Sequence, residues 1–179
     1  MEKFIEVYDD MIPSELADNL ENLLLGQSIP WAYIQNITKG SSSNAYLPGF
    51  SYYFINNNTN IYTPFCFNIF QILYNLTHNL NIDLLDIIQA RAFLQIPSLK
   101  SSSNEIHTDL EFPHWVCLYY VCDSDGDTIL FDDNRNEIQR VTPKKGRIVF
   151  FDGLIKHCSS SPTKTHRAVV NFDFIGKKL

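Results

Sequence analysis

The sequence predicts a mainly β fold, a β-sandwich or barrel with helices on one outer face. Three observations carry this. Helical spacings of apolar residues are confined to the first half of the chain. From residue 86 onward, short strand-like runs follow one another. Turn signals rich in Asn, Asp and Gly separate them. At 179 residues, 45% of them apolar, the chain can bury one sizeable core but hardly two. We expect a single domain over residues 1–179, with helical support and outer strands in 1–85 and the β core in 86–179.

The elements read in order as follows. Phe4 to Tyr8 is strand-like and ends at Asp9-Asp10. A helix starts at Pro13 or Ser14, carries Leu16, Leu20, Leu23 and Leu24 on one stripe, and stops at Gly26. Residues 29–36 look extended, 39–44 form a Gly/Ser loop, and Phe50 to Ile55 is a strand closed by an Asn-rich turn. From Pro64 to about Asn79, Phe65, Ile69, Ile72, Leu73 and Leu76 fall at helical spacing. Strands then run over Ile87–Ile96, Trp115–Cys122, Thr128–Phe131, Glu137–Val141, Arg147–Phe151 and Arg167–Phe174. A polar loop, Pro97 to Asn104, precedes His107. Trp115–Cys122 is apolar enough to be buried on both faces.

Charge and cysteine usage exclude some functions. The net charge is -6 and no basic stripe is present, so nucleic acid is not an expected partner. No apolar run reaches spanning length and the N-terminus lacks a signal-peptide pattern, so no membrane segment is expected. Cys66, Cys117, Cys122 and Cys158 form no CxxC pair and sit mostly among apolar residues. They are read as reduced thiols of a cytoplasmic protein.

The chemistry centres on His107-Thr108-Asp109. An imidazole and a carboxylate two residues apart can reach one metal ion, although such a triplet alone also occurs as an ordinary polar loop. His157, 48 residues after Asp109, can supply a third ligand once intervening strands bring the chain back; the alternative is an exposed loop histidine. Two histidines and one carboxylate leave open positions on Fe(II). Ten residues further, Arg167 opens a strand. Alternation puts Arg167, Val169, Asn171 and Asp173 on one mixed face and Ala168, Val170, Phe172 and Phe174 on an apolar face. An arginine at the inner end of the mixed face can grip a carboxylate through two parallel hydrogen bonds. His114 is read as a loop histidine, His166 as a neighbour of Arg167 that points to the other face, and His78 as lying near a helix end. The acidic run from Asp123 to Asp133 is read as solvated turns and not as a calcium loop.

These residues resemble a 2-oxoglutarate- and Fe(II)-dependent dioxygenase of the prolyl 4-hydroxylase-like branch, most closely the short oxygenases encoded by marine bacteriophages. The resemblance runs nearly end to end. It rests on Ile29-Pro30-Trp31 with Tyr33, on Phe50 to Phe54 and on His107-Thr108-Asp109. It continues through Leu118 to Val121 and Gly126-Asp127-Thr128. The most specific strings are Arg147 to Gly153, Ile155-Lys156-His157 and Arg167 to Phe172.

It implies a double-stranded β-helix (a cupin-like jelly roll) with the N-terminal helices on the major sheet. It implies His107, Asp109 and His157 as iron ligands, and Arg167 as holder of the distal carboxylate of 2-oxoglutarate. Tyr120 would donate its phenol to that carboxylate. It further implies O2 as co-substrate, ascorbate as an accessory reductant, and hydroxylation of a prolyl residue in a peptide or protein. A phage-infected bacterial host is the implied setting.

Two departures stand out. Many prolyl hydroxylases carry Lys in place of Arg167. The Tyr-x-x-Gly stretch before the first ligand is absent, with Phe93 and the Ser98–Asn104 loop in its place. The further arginines of nucleic-acid repair relatives are also missing. An intact Asp109 argues for hydroxylation over halogenation. Other readings are the same chemistry on a free amino acid or small metabolite, a non-catalytic cupin-like module binding a metal or small acid, and a β-sandwich whose triad is coincidental.

Overall fold

The computed structural model describes residues 4–37, 47–99 and 102–179. The expected loop at 39–44 lies outside the described residues. The elements are β1 (Ile5–Tyr8), α1 (Ser14–Leu25), β2 (Ala32–Ile34), β3 (Gly49–Asn56), β4 (Ile61–Tyr62) and α2 (Cys66–Asn79). They continue with β5 (Ile82–Gln95), β6 (Trp115–Tyr120), β7 (Thr128–Phe131), β8 (Glu137–Val141), β9 (Ile148–Asp152), β10 (Lys156–Ser159) and β11 (Arg167–Lys178).

Two antiparallel sheets form a jelly roll. The large sheet runs β1-β9-β6-β11-β5-β3-β2, with β4 paired to β3, and the small sheet runs β10-β7-β8. The helices lie on the outer face of the large sheet. Ala17, Leu20 and Leu24 of α1 and Ile69, Ile72, Leu73 and Leu76 of α2 join Ala168, Val170, Phe172 and Phe174 in one buried cluster. Between the sheets, Val116, Leu118, Tyr120, Leu130, Val149, Phe151 and Val169 form a second cluster. β6 and β11 are therefore buried on both faces. Period-2 alternation sends one set of side chains under the helices and the other into the sandwich.

Three boundaries differ from the sequence expectation, each for a tertiary reason. β5 begins at Ile82, before the acidic residues Asp83 and Asp86, because β11 runs on to Lys178 and pairs with it as far as Ile82. The large sheet thus takes in residues from both halves of the expected 1–85/86–179 division. β4 is only two residues long and is defined by its pairing with β3. β10 is the third. Lys156–Ser159 has no strand-like run of its own, yet it pairs with β7 throughout. His157 therefore stands on a strand and not in a turn.

Burial sets the expected cost of disturbing this architecture. Phe172 is fully buried beneath the helices. Phe172→Ala should lower the unfolding free energy by about 3–5 kcal/mol, the range for large-to-small aromatic changes in a core. Chemical denaturation measures it directly.

Candidate metal centre

His107 and His157 face each other across an isolated antiparallel bridge. His107 N–H donates to the His157 carbonyl (3.0 Å) and His157 N–H donates to the His107 carbonyl (2.9 Å). The polar chain before β6 is thereby pinned to the small sheet. Each ring is oriented by its own backbone. Nδ1 of His107 lies 2.9 Å from the Glu105 carbonyl, and Nδ1 of His157 lies 3.1 Å from the Ile155 carbonyl. A carbonyl can only accept, so both Nδ1 atoms carry the proton and both Nε2 lone pairs are free to ligate.

The Asp109 carboxylate closes the set. Oδ1 lies 3.8 Å from His107 Nε2 and Oδ2 lies 3.4 Å from His157 Nε2. Ligand atoms of all three residues lie within 4.8 Å of one another, the only such group among the described residues. Burial alone would raise the Asp109 pKa. The two imidazoles and the Asn171 amide outweigh it and hold the carboxyl well below its usual range. Burial and the neighbouring His157 lower His107, whereas Asp109 raises His157 against its own burial. The donor set suits a divalent cation bound by two neutral imidazoles and one carboxylate, with part of its coordination sphere left open.

A buried chain of side chains stands behind Asp109. Asn171 donates to Asp109 Oδ2 (3.3 Å) and to Asp173 Oδ2 (3.3 Å), and Gln89 donates to the same Asp173 oxygen (2.6 Å). The Asp173 Oδ1 atom faces His114 Nε2 at 3.5 Å, a charge contact longer than a good hydrogen bond. Burial and the Asp109 charge push Asp173 up; burial would lower His114, but Asp173 and the Phe112 carbonyl push it up instead. The expectation of a loop histidine at His114 is corrected here. The residue is buried, and a Cβ on Gly153 would meet its ring atoms at 2.2–2.4 Å. The only available signal was the mixed face of β11, which carries Asn171 and Asp173.

Arg167 lies in the same cavity as the triad. It is 4% exposed. Its guanidinium donates to the Gly126 carbonyl (2.9 Å), Gln95 Oε1 (3.2 Å) and Thr128 Oγ1 (2.9 Å), all neutral acceptors. No carboxylate among the described residues forms an ion pair with it. These bonds use one hydrogen each on Nε, Nη1 and Nη2. One hydrogen remains on each terminal nitrogen, the fork that binds a carboxylate bidentately. A buried cation without a counter-ion is costly, so an anion entering this cavity would relieve that cost.

Tyr120 is placed differently from the sequence expectation. Its hydroxyl donates to Thr128 Oγ1 (2.7 Å), and Tyr120 is absent from the cavity lining, whereas Thr128 is present. Thr128 Oγ1 therefore accepts from both Tyr120 and Arg167. Its two lone pairs are filled and its own hydrogen remains to be donated. Thr128 was missed at the sequence level because nothing about a strand-opening threonine marks it.

The remaining singled-out residues stay outside the site. His166 is exposed, and His78 stacks on Tyr74 at the end of α2 with ring centroids 5.6 Å apart. Asp125 accepts from the Thr163 and Lys164 backbone, and Asp132 accepts from Asn136, so the acidic run builds turns. All four cysteines are free and buried. No helix among the described residues is long and apolar enough to cross a membrane.

No protein-family model matches the sequence, and no curated protein matches it. Solved structures do. A 2OG-Fe(II) oxygenase family oxidoreductase from Burkholderia pseudomallei superposes with a TM-score of 0.73 at 9% identity, covering 95% of this chain and 84% of its own. A viral collagen prolyl hydroxylase from Paramecium bursaria Chlorella virus-1, in complex with 2OG, gives 0.62 at 15% identity, with 96% of each chain covered. A Pseudomonas putida prolyl-4-hydroxylase gives 0.65 at 13% identity, covering 97% of this chain and 92% of its own. The chain has the fold of these proteins over nearly its whole length.

The geometry sets three expected outcomes for metal binding. Titration with Co(II), a spectroscopic substitute for Fe(II), should show one equivalent bound by the wild type and none by His157→Ala. Asn171→Ala should bind about 10–100-fold more weakly, the usual effect of removing a partner that orients a ligand. Because Asp109 favours the protonated form of His157, a proton competes with the metal. Affinity should therefore fall with acidification from above roughly pH 6.5, the ordinary imidazole value.

Proposed function

We propose that this chain is an Fe(II)- and 2-oxoglutarate-dependent dioxygenase that hydroxylates a C–H bond. The single observation that carries the reading is the pairing of the His107–Asp109–His157 set with the unpaired Arg167 fork in one cavity. Fe(II) held by these three residues would supply the open coordination positions at which O2 and 2-oxoglutarate react. The reaction balances as R–H + O2 + 2-oxoglutarate giving R–OH + succinate + CO2. One oxygen atom ends in succinate and the other in the product. Ascorbate would serve as an accessory reductant.

The protein's own part is positioning. Arg167 takes the distal carboxylate of 2-oxoglutarate through its two free N–H groups, and the Thr128 hydroxyl donates beside it. Tyr120 acts one step back as a positioning residue, fixing Thr128 and not touching the carboxylate. Asn171, held in turn by Asp173, fixes the plane of Asp109. Phe93, Leu118, Phe151 and Val169 line the same cavity and exclude water around the reacting atoms.

For the prime substrate we place a prolyl residue of a peptide or protein first, because two of the similar structures are described as prolyl hydroxylases. A free amino acid or small metabolite is the second reading, favoured by a cationic side chain in the adjoining cavity. The reduced state of four buried cysteines supports a reducing, cytoplasmic setting. A cupin-like module that merely stores a metal would have no need for the buried fork; one that holds a small acid would bind it without consuming O2.

Anaerobic calorimetry with the metal-loaded protein tests the assignment of Arg167. The wild type should bind 2-oxoglutarate. Arg167→Gln should weaken binding by about 2–5 kcal/mol, 30-fold or more, as expected when one partner of a buried charge pair is removed. Thr128→Val should cost roughly tenfold. Equal affinity in all three proteins would remove Arg167 and Thr128 from the 2-oxoglutarate site.

A further inference from the structure

A second arginine sits beside the triad and has no part in the roles above. Arg91 lies in the middle of β5, in register with Asn171 of β11 and Tyr53 of β3. It lines a cavity of ≈ 350 Å³ together with Tyr53, Gln89, His107 and Asp109. Its register partner Asn171 bonds Asp109. Arg91 is thus level with the metal-binding carboxylate and four residues along the strands from the Arg167 pair with Gln95.

Its surroundings prepare it for an anion it does not have. The guanidinium packs against two rings, with Cζ 4.5 Å from the Tyr53 centroid and 4.2 Å from the Phe93 centroid. Its Nη2 donates to the Ser51 hydroxyl at 3.1 Å, a neutral partner. Nε is buried with no hydrogen-bond partner. Among the described residues no carboxylate forms an ion pair with it. Asp109 adds a favourable charge at a distance, but that carboxylate is committed to the triad. Burial draws the Arg91 pKa down, the direction for a desolvated cation whose charge is incompletely compensated.

The rings fix the guanidinium plane; Nε is closed off, so recognition of a ligand in the cavity falls to the terminal N–H groups. An edge of this shape matches a carboxylate. A merely structural arginine in this place would be expected to have an acidic partner or an open path to water for its Nε.

We propose that Arg91 is the specificity-determining anchor of the prime substrate, and that this substrate presents a carboxylate to it within the cavity beside the metal ligands. The proposal rests on the dioxygenase reading for the meaning of the cavity, and it narrows that reading. A free amino acid offers its α-carboxylate, and a peptide offers its C-terminal one. An internal prolyl residue with no nearby acid offers none.

The test uses the whole metal-free chain and reads the Arg91 Nε–H cross-peak by NMR, assigned by its loss in Arg91→Gln. Arg91→Lys, which keeps the charge, serves as a folding control. The probes are acetate, L-proline, N-acetyl-L-proline and N-acetyl-L-prolinamide, which lacks the carboxylate. The proposal expects the carboxylates to move the Arg91 peak saturably while the amide does not, with at least tenfold weaker binding by Arg91→Gln. Tighter binding of L-proline than of N-acetyl-L-proline would identify a free amino acid as the source of the carboxylate, and the reverse a peptide C-terminus. Failure of every carboxylate to move the peak, or an equal response to the amide, would overturn it. So would carboxylates that shift only Arg167. None of these outcomes depends on turnover, so failure here is distinct from failure of the dioxygenase reading, which 2-oxoglutarate binding decides.

Discussion

The reciprocal backbone bonds between His107 and His157 are the constraint on which the rest of the site depends. They join a polar segment with no regular structure to the edge of the small sheet. They set two imidazoles side by side with ring centroids 4.6 Å apart. That proximity is tolerable because each ring keeps its proton on the side turned to a backbone carbonyl. Two lone pairs then face one point, with the Asp109 carboxylate as the third contributor. The small sheet holds this point against the large one through the apolar cluster between them, where Leu130 of β7 packs with Val149, Phe151 and Val169.

Polar groups inside the sandwich come in two kinds. One kind is compensated by other protein groups. Asp109, Asn171, Asp173, Gln89 and His114 form a connected chain in which the carboxylates find donors or a charge partner. The close approach of the His114 ring to Gly153 shows how tightly its far end is packed. The other kind is cationic and uncompensated. Arg167 and Arg91 are both held rigidly, one by three neutral acceptors and the other by two aromatic rings, and neither has an acid of its own. Buried charge without a partner costs several kcal/mol in principle. Arg167 is buried and Arg91 half-buried in the adjoining cavity, which is an argument about ligands, not about stability.

Much of this was legible in the sequence, and the limits are physical. Alternation along Arg167–Phe174 divided an apolar face from a polar one, and the structure places those faces under the helices and toward the His107–Asp109–His157 group respectively. Ligand chemistry and spacing singled out His107, Asp109 and His157, and the fold brings the three together. What escaped was long-range pairing. β10 is a strand because β7 is beside it, and no local pattern in Lys156–Ser159 signals that. His114 is buried because Asp173, far away in sequence, reaches it across the strands. Thr128 became visible only when Tyr120 and Arg167 were seen to converge on one oxygen. Nothing in the Ile87–Ile96 run marks Arg91, whose setting is made by the Tyr53 and Phe93 rings.

The central claim is that the triad and the Arg167 fork act together on 2-oxoglutarate and oxygen. Succinate formation from 2-oxoglutarate, measured in air with added Fe(II) for the wild type and for His157→Ala, tests it most directly. The account predicts slow but measurable succinate from the wild type even without a prime substrate, and none above background from the variant. Equal succinate from both proteins, or none from a wild type that also binds neither Fe(II) nor 2-oxoglutarate anaerobically, would contradict it.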